Sequence, residues 1–193
     1  DYLAAEPLLR RCLERGESVA ALLPLTMITV VQGRPEQGRD FGERALALAP
    51  DNANVRYWYG RALLETGEVD AARTQWEEAL GLDSGHVGVL EALARLSLRT
   101  GEQAKAYNLL NQLQMQGVDE PWLHRMLSGL ARRKGLWDQA AEHWADVVAR
   151  EGESEENLLV LGELTILAGE PQKAVDIFRH AVEVVPSGAT WGG

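Results

Sequence analysis

The sequence predicts an all-α fold, a right-handed α-solenoid built from stacked helix-turn-helix hairpins. Two observations support this prediction: a recurrence of 34 residues, and apolar residues spaced as in amphipathic helices. The recurrent stretch reads GRPEQG from Gly33, GEVDAA from Gly67, GEQAKA from Gly101, GLWDQA from Gly135 and GEPQKA from Gly169. Because the interval is 34 residues each time, each interval is predicted to be one structural unit.

Each unit is predicted to contain two helices joined at the recurrent glycine. Upstream of Gly101, the segment VLEALARLSLRT places Leu90, Leu93, Ala94 and Ser97 at spacings of three and four, as on one face of a helix. A second stretch of helical periodicity follows each glycine. The glycine itself can adopt the left-handed conformation that ends a helix at little cost. Each unit therefore reads as a helical hairpin.

Residue size is regular at three fixed distances from each recurrent glycine. Five positions after the glycine stand small residues: Gly38, Ala72, Ala106, Ala140 and Ala174. Seven positions before it stand Thr26, Gly60, Ala94, Ser128 and Gly162, again all small. Nine positions after it stand Gly42, Trp76, Leu110, Trp144 and Phe178, which are mostly bulky. We expect the small residues to let the two helices approach, and the bulky ones to fill the space between neighbouring units.

A 34-residue hairpin with this pattern of residue sizes resembles the tetratricopeptide repeat (TPR) family. The resemblance implies a TPR superhelix and a single TPR domain over residues 1–193. It divides the chain into a partial repeat that supplies a second helix (1–18), five repeats (19–52, 53–86, 87–120, 121–154 and 155–188) and a tail (189–193). Pro7 and Pro24 fall inside predicted helices, which we expect to kink or restart there. Cys12 falls where such repeats place a small buried residue, so a structural thiol is expected.

Composition and charge narrow the classes of partner. The formal charge of −10 and the pI near 4.9 argue against general binding to nucleic acid or to anionic lipid. The longest apolar stretch, VAALLPLTMITVV at 19–31, is too short to span a bilayer, so a core helix is predicted there. Because the chain starts at Asp1, we expect it to be part of a longer protein. The sequence leaves its localisation open.

The resemblance also implies where a ligand binds. In TPR proteins, the residues of each first helix that face away from the second helix line a concave groove. Here these are the second, fifth, ninth and twelfth residues of each repeat, which we call the first-helix stripe. The first helices of the five repeats carry 0, +1, +1, +4 and −3, together +3 in an acidic chain. The predicted peptide-binding residues are Tyr57, Arg61, Arg95, Arg99, Trp122, Arg125 and Arg132, of which Arg99 lies one position beyond the stripe.

The predicted function is a non-catalytic scaffold that binds a protein or peptide segment, with acidic or C-terminal carboxylate groups held by the arginines. Arginine suits this role because its planar fork can donate two hydrogen bonds to one carboxylate. Tyr57 and Trp122 would add rigid apolar contacts. The alternative interpretation is that these arginines are ordinary exposed residues, paired with Glu91 or unpaired.

Three rival functions have less support in the sequence. The four histidines (His86, His124, His143 and His180) are scattered without motif spacing, so no catalytic residue, cofactor or metal site is predicted. RNA binding would fit the mixture of arginine and aromatic residues, but not the acidic pI. Self-association is a further alternative, because residues 19–31 carry no charge and an exposed apolar face usually meets a partner.

Overall fold

The computed structural model describes residues 2–184, which contain eleven α-helices and no strand. The predicted all-α fold of helical hairpins is therefore confirmed, while the predicted tail at 189–193 lies outside the described residues. The chain forms two compact units, Asp1–Glu102 and Gln103–Gly193. The helices of the first are α1 (Tyr2–Leu13), α2 (Val19–Val31), α3 (Pro35–Leu48), α4 (Ala53–Glu65), α5 (Val69–Leu82) and α6 (Val87–Arg99). Those of the second are α7 (Gln103–Met115), α8 (Pro121–Arg133), α9 (Trp137–Glu151), α10 (Glu155–Leu167) and α11 (Pro171–Val184).

The recurrent glycines end the first helix of each hairpin, as predicted. Gly67 has φ +89°, a left-handed conformation that is strained for residues with a Cβ atom. Its N–H donates to the Leu64 carbonyl (3.1 Å), and the next N–H, of Glu68, donates to the Leu63 carbonyl (2.8 Å). This pair of hydrogen bonds is a Schellman motif, which satisfies the last carbonyls of the helix. The chain thereby reverses in a few residues, and α5 packs back on α4.

The small residues lie where the helices of a hairpin approach closely. A Cβ atom added to Gly38 would lie 2.7 Å from Val30 Cγ2, a contact between α3 and α2. The alanines at the same position of the later repeats (Ala72, Ala106, Ala140 and Ala174) are all buried. A larger side chain at Gly38 would have to push α2 and α3 apart.

The bulky residues make contacts both within a hairpin and between hairpins. Trp76 fills the gap beside Gly60 in its own hairpin, since a Cβ on Gly60 would lie 2.4 Å from the indole Nε1. Phe178 fills the same gap beside Gly162, with 2.4 Å to its Cε1. Trp144 reaches the next hairpin as expected, where its indole N–H donates to the carbonyl of Asn157 in α10 (3.0 Å). The bulky residue therefore packs either within a hairpin or between two.

Two expectations for the first hairpins were wrong: a restart of the helix at each proline, and a buried Cys12. α2 runs without interruption through Pro24, because the residue whose carbonyl loses its partner, Ala20, is exposed and its carbonyl can bond to water. α1 likewise runs through Pro7. Cys12 is an exposed free thiol and not a buried one. α1 packs on α2, and none of the described helices covers the face of α1 that carries Cys12.

An ion pair fixes α1 against the start of α3. Glu6 accepts hydrogen bonds from Arg34 (2.5 Å and 3.0 Å) and from Arg10 on its own helix (2.9 Å). These guanidinium groups, Arg34 first, lower the pKa of Glu6 from 4.5 to about 2. The pair joins residues 28 positions apart, so it fixes the position of α1 within the first unit. Between residues 2 and 184, no helix has both the length and the apolar character that crossing a bilayer requires.

Candidate functional site

The first-helix stripe is the accessible part of most first helices. In α10 all four of its residues, Glu156, Leu159, Glu163 and Ile166, are exposed. In α2, by contrast, Val30 is buried because it packs on α3. The stripe therefore presents side chains to solvent in the later hairpins more fully than in the first.

Tyr57 lies on the stripe of α4 but packs against the start of α6. Its ring lies 5.2 Å from the His86 ring, and a Cβ on Gly88 would lie 2.9 Å from its Cζ. His86 also contacts the Asn54 side chain at 3.2 Å. Tyr57 is thus half-buried and joins two successive first helices, so only part of its ring remains available to a ligand.

The arginines of the first unit have three different environments. The Arg61 guanidinium lies over the Trp58 ring, 5.0 Å from its centroid, in a cation–π contact. Arg95 donates to Glu91 one turn earlier (2.7 Å and 2.9 Å), which is the pairing that the alternative interpretation expected. Arg99 is exposed in the last turn of α6 and forms no ion pair within residues 2–184.

In the second unit, Arg125 is engaged by α9. Its two terminal nitrogens donate to the two carboxylate oxygens of Glu151, one at 2.5 Å, and its guanidinium lies 5.7 Å from the centroid of the Trp144 ring. Trp122 is half-buried on the same helix. Arg132 is exposed near the end of α8, without an ion pair to any described residue.

The apolar helix α2 is largely covered, which bears on the prediction of self-association. Leu22 and Leu25 are fully buried in a cluster with Phe41 of α3 and Val55 of α4. α1 covers another part of α2. An open apolar pocket of about 420 Å³ remains between α1 and α2, lined by Ala5, Leu8, Leu9, Pro24, Met27 and Ile28.

The structure brings together groups that are scattered in the sequence. The rings of His124 on α8 and His143 on α9 lie 6.0 Å apart, and Asp146 lies one turn beyond His143. Asp119 and Arg150 complete this cluster. Sequence analysis missed it because a hairpin, and not local spacing, creates the proximity. The signal was present in His143 and Asp146, which are three residues apart on one helical face.

Comparison with known proteins agrees with this geometry. Two family models described as tetratricopeptide repeat match residues 30–75 and 61–114. Two solved structures have similar folds: MamA from Desulfovibrio magneticus RS-1 (TM-score 0.75, 15% identity, covering 91% of this chain and 99% of that one) and PilF from Pseudomonas aeruginosa (TM-score 0.75, 21% identity, covering 93% and 82%).

A longer relative is similar in sequence. The Vi polysaccharide export protein VexE of Salmonella typhi is 28% identical over 175 residues, which is 89% of this chain and 26% of that protein. The chain therefore spans about a quarter of the length of the curated relative it matches.

Proposed function

Because residues 30–114 are tetratricopeptide repeats, we propose that the chain is a non-catalytic scaffold that binds a segment of another protein along its first-helix stripe. A protein-interaction scaffold is the role that this fold supports, since stacked hairpins present extended rows of side chains. The finer proposal concerns the chemistry of the bound segment.

The observation that carries the proposal is that Arg99 and Arg132 are exposed and have no ion-pair partner among residues 2–184. Both are exposed, and neither forms an ion pair within the described part of a chain that carries 29 carboxylate side chains. Arg95 and Arg125 have already engaged Glu91 and Glu151. Arg99 and Arg132 therefore keep their donor forks available, and a carboxylate is the group that such a fork binds best. The two arginines lie in different units, so the support for each is separate.

Exposed apolar side chains on the stripe of the next repeat favour a segment that is both acidic and apolar for the second unit. Arg132 occupies the twelfth position of its repeat, and the same position of the next repeat holds Ile166, which is 49% exposed. Leu159, on the same stripe of α10, is 42% exposed. A protein segment that combines acidic groups, or a C-terminal carboxylate, with apolar residues matches this surface.

Charge reversal tests the proposal. Arg99→Glu and Arg132→Glu would be made singly, and an array of fluorescein-labelled acidic peptides, each with a free and an amidated C-terminus, would be titrated by anisotropy. We expect binding that weakens with salt and falls about tenfold or more in at least one variant, because a repulsive charge replaces the donor.

The matched control is Arg179→Glu, which makes the same charge change on α11, outside the stripe. The Arg179 side chain is 71% exposed and pairs with Asp176. An equal loss of affinity in the control, or unchanged affinity in both stripe variants, would remove the arginines from the interaction. A gel shift at low salt with single-stranded RNA tests the alternative function, RNA binding.

The curated relative suggests the setting of this scaffold. Because that relative is a Vi polysaccharide export protein, we propose that the bound segment belongs to another protein of a polysaccharide export system. In the native organism, exchange of the chain for its Arg132→Glu variant should reduce export of the polysaccharide, while the Arg179→Glu variant should not.

Self-association through residues 19–31 is the second candidate, and the apolar pocket between α1 and α2 favours it. Leu8, on the rim of this pocket, is 61% exposed. We propose the same face of a second copy as the occupant, in a two-fold symmetric contact. Light scattering across a concentration series should show dimers that Leu8→Glu abolishes, and a monomer at every concentration would exclude this function.

A further inference from the structure

We propose that the second unit binds a divalent transition metal of the zinc class between α8 and α9, with His124, His143 and Asp146 as ligands. Each of these residues offers one ligand atom, and the three atoms lie within 4.8 Å of one another. Two imidazoles and one carboxylate are a donor set that suits zinc and its neighbours in the transition series better than magnesium or calcium. The site is separate from the first-helix stripe and goes beyond the scaffold function.

The hairpin creates this arrangement. α8 supplies His124 from its first turn, and α9 supplies His143 and Asp146, three residues apart and hence on one face. Pairs of ligands at this helical spacing, facing a third ligand on an adjacent helix, also hold metals in the cores of helical bundles. The unit packs α8 and α9 together over their lengths, so the ligands are held by regular structure and not by a loop.

The state of His124 is the observation that points to a cation. Its side chain is 4% exposed, and its Nε2 lies 2.8 Å from Asp119 Oδ1. Asp119 Oδ1 also accepts a hydrogen bond from Arg150 (2.6 Å), and a carboxylate held by a guanidinium group can only accept. Nε2 therefore carries the hydrogen, which in neutral imidazole leaves a lone pair on Nδ1.

That lone pair is buried and has no hydrogen-bond partner among the described residues. Asp146 Oδ2 lies 3.3 Å from Nδ1, but the two atoms form no hydrogen bond. A lone pair and a carboxylate oxygen repel each other unless a cation lies between them. Two ligand atoms on a tetrahedral zinc ion, each about 2.0–2.1 Å from the metal, lie roughly 3.3 Å apart, which agrees with the observed separation.

The surrounding charges leave the site accessible to a cation. Arg150 donates to both oxygens of Asp119 (2.6 Å and 2.7 Å) and to Asp146 Oδ1 (3.1 Å), which leaves Asp146 Oδ2 for the metal. Glu142, beside His143, is exposed. Asp119 would orient the His124 ring by accepting a hydrogen bond from Nε2, the nitrogen that does not bind the metal, an arrangement common in zinc proteins. His143 is half-buried, so solvent reaches the site and a water can complete the coordination.

The test is titration of the intact, tag-free chain with Zn²⁺ by calorimetry at neutral pH, with Co²⁺ as a spectroscopic substitute. We expect about one Zn²⁺ per chain with a dissociation constant in the micromolar range or lower, and a Tm that rises with Zn²⁺ concentration. His143→Ala and Asp146→Asn should each weaken binding at least tenfold. Both residues are partly exposed, so these variants leave the buried His124 in place.

The control is His180→Ala, which removes a half-buried histidine that contacts two other carboxylates, of Glu153 and Glu183. Zn²⁺ binding should be unchanged in it. Absence of saturable Zn²⁺ binding by the wild-type chain would overturn the proposal and would mean that a proton on Nδ1 balances the carboxylates. Binding that His180→Ala abolishes, or that His143→Ala leaves intact, would overturn it as well.

Discussion

Gly60→Ala tests whether the hairpin of α4 and α5 depends on a gap in which Trp76 sits. The Trp76 side chain is 1% exposed, and its indole N–H donates to the carbonyl of Tyr57 at 3.1 Å. A Cβ atom on Gly60 would lie 2.4 Å from Nε1 and 2.8 Å from Cδ1 of that ring. Real Cβ atoms do not come so close, so either the indole or α5 must move.

The magnitude follows from three opposing effects. Overpacking of a filled core costs about 1–3 kcal/mol. Displacement of the indole also breaks its hydrogen bond, worth about 1 kcal/mol. Alanine in place of glycine in a helix interior returns about 1 kcal/mol. We therefore expect Gly60→Ala to reduce the free energy of unfolding by about 1–3 kcal/mol, which lowers the Tm by roughly 6 °C in a chain of this size.

Gly129→Ala is the matched control, because it makes the same substitution within another first helix, α8. A Cβ at Gly129 would meet nothing within 4 Å, so only the helix-propensity gain applies and stability should rise by about 0.5–1 kcal/mol. Both variants would be compared by urea unfolding monitored by circular dichroism. A Gly60→Ala protein as stable as the wild type would refute the reasoning. In a Trp76→Leu background, the cost of Gly60→Ala should largely disappear, since the contacting ring is gone.

Three further predictions follow from the turns, the pH dependence and a buried hydroxyl. Gly67→Ala should cost about 1 kcal/mol, measured by urea unfolding, because alanine is strained at φ +89°, whereas Gly81→Ala, in open space within α5, should not destabilise. Glu6→Gln should lower the Tm at pH 7 by removing the pair with Arg34. The pKa of Glu6 is lowered from 4.5 to about 2 by folding. Its stabilising effect is therefore fully present above pH 4.5 and is lost as the pH falls towards 2, so the curves of Tm against pH for the wild type and Glu6→Gln should converge over that interval. Ser128→Ala should cost about 1 kcal/mol in thermal unfolding, since a buried carbonyl in α9 loses its hydroxyl donor at 2.8 Å.

The hairpins could be predicted from sequence because their determinants recur. A glycine at a fixed interval ends each first helix, and the Schellman hydrogen bonds seen after Leu63 recur with the same spacing after Thr29, Ser97, Ala131 and Thr165. Because the glycine signal occurs five times, a local exception in one hairpin does not obscure the pattern. Pro24 is such an exception, since propensity alone would interrupt α2 there, while burial of the residues around it on α1, α3 and α4 holds the helix together.

The environments of the individual stripe residues could not be predicted in the same way. Position alone gives the face of the helix on which Arg125 lies, but not that its fork reaches Glu151, which is 26 residues away on the next helix. Nor does it show that Arg61 lies over Trp58. Long side chains have several rotamers of similar energy, and the choice depends on partners that only the packed hairpin supplies.

The two tryptophans at the same repeat position form different hydrogen bonds. Trp76 faces Gly60 and turns into its own hairpin, where its N–H meets the carbonyl of Tyr57. In α8 the position that corresponds to Gly60 holds Ser128, whose hydroxyl donates to the Ala140 carbonyl. The indole N–H of Trp144 donates to the Asn157 carbonyl in α10, and its ring packs against the cluster of Ala131, Ala140 and Leu164. The hydrogen bond of Trp76 therefore lies within one hairpin, where the first helix has a glycine, and that of Trp144 joins two hairpins, where the first helix has a serine.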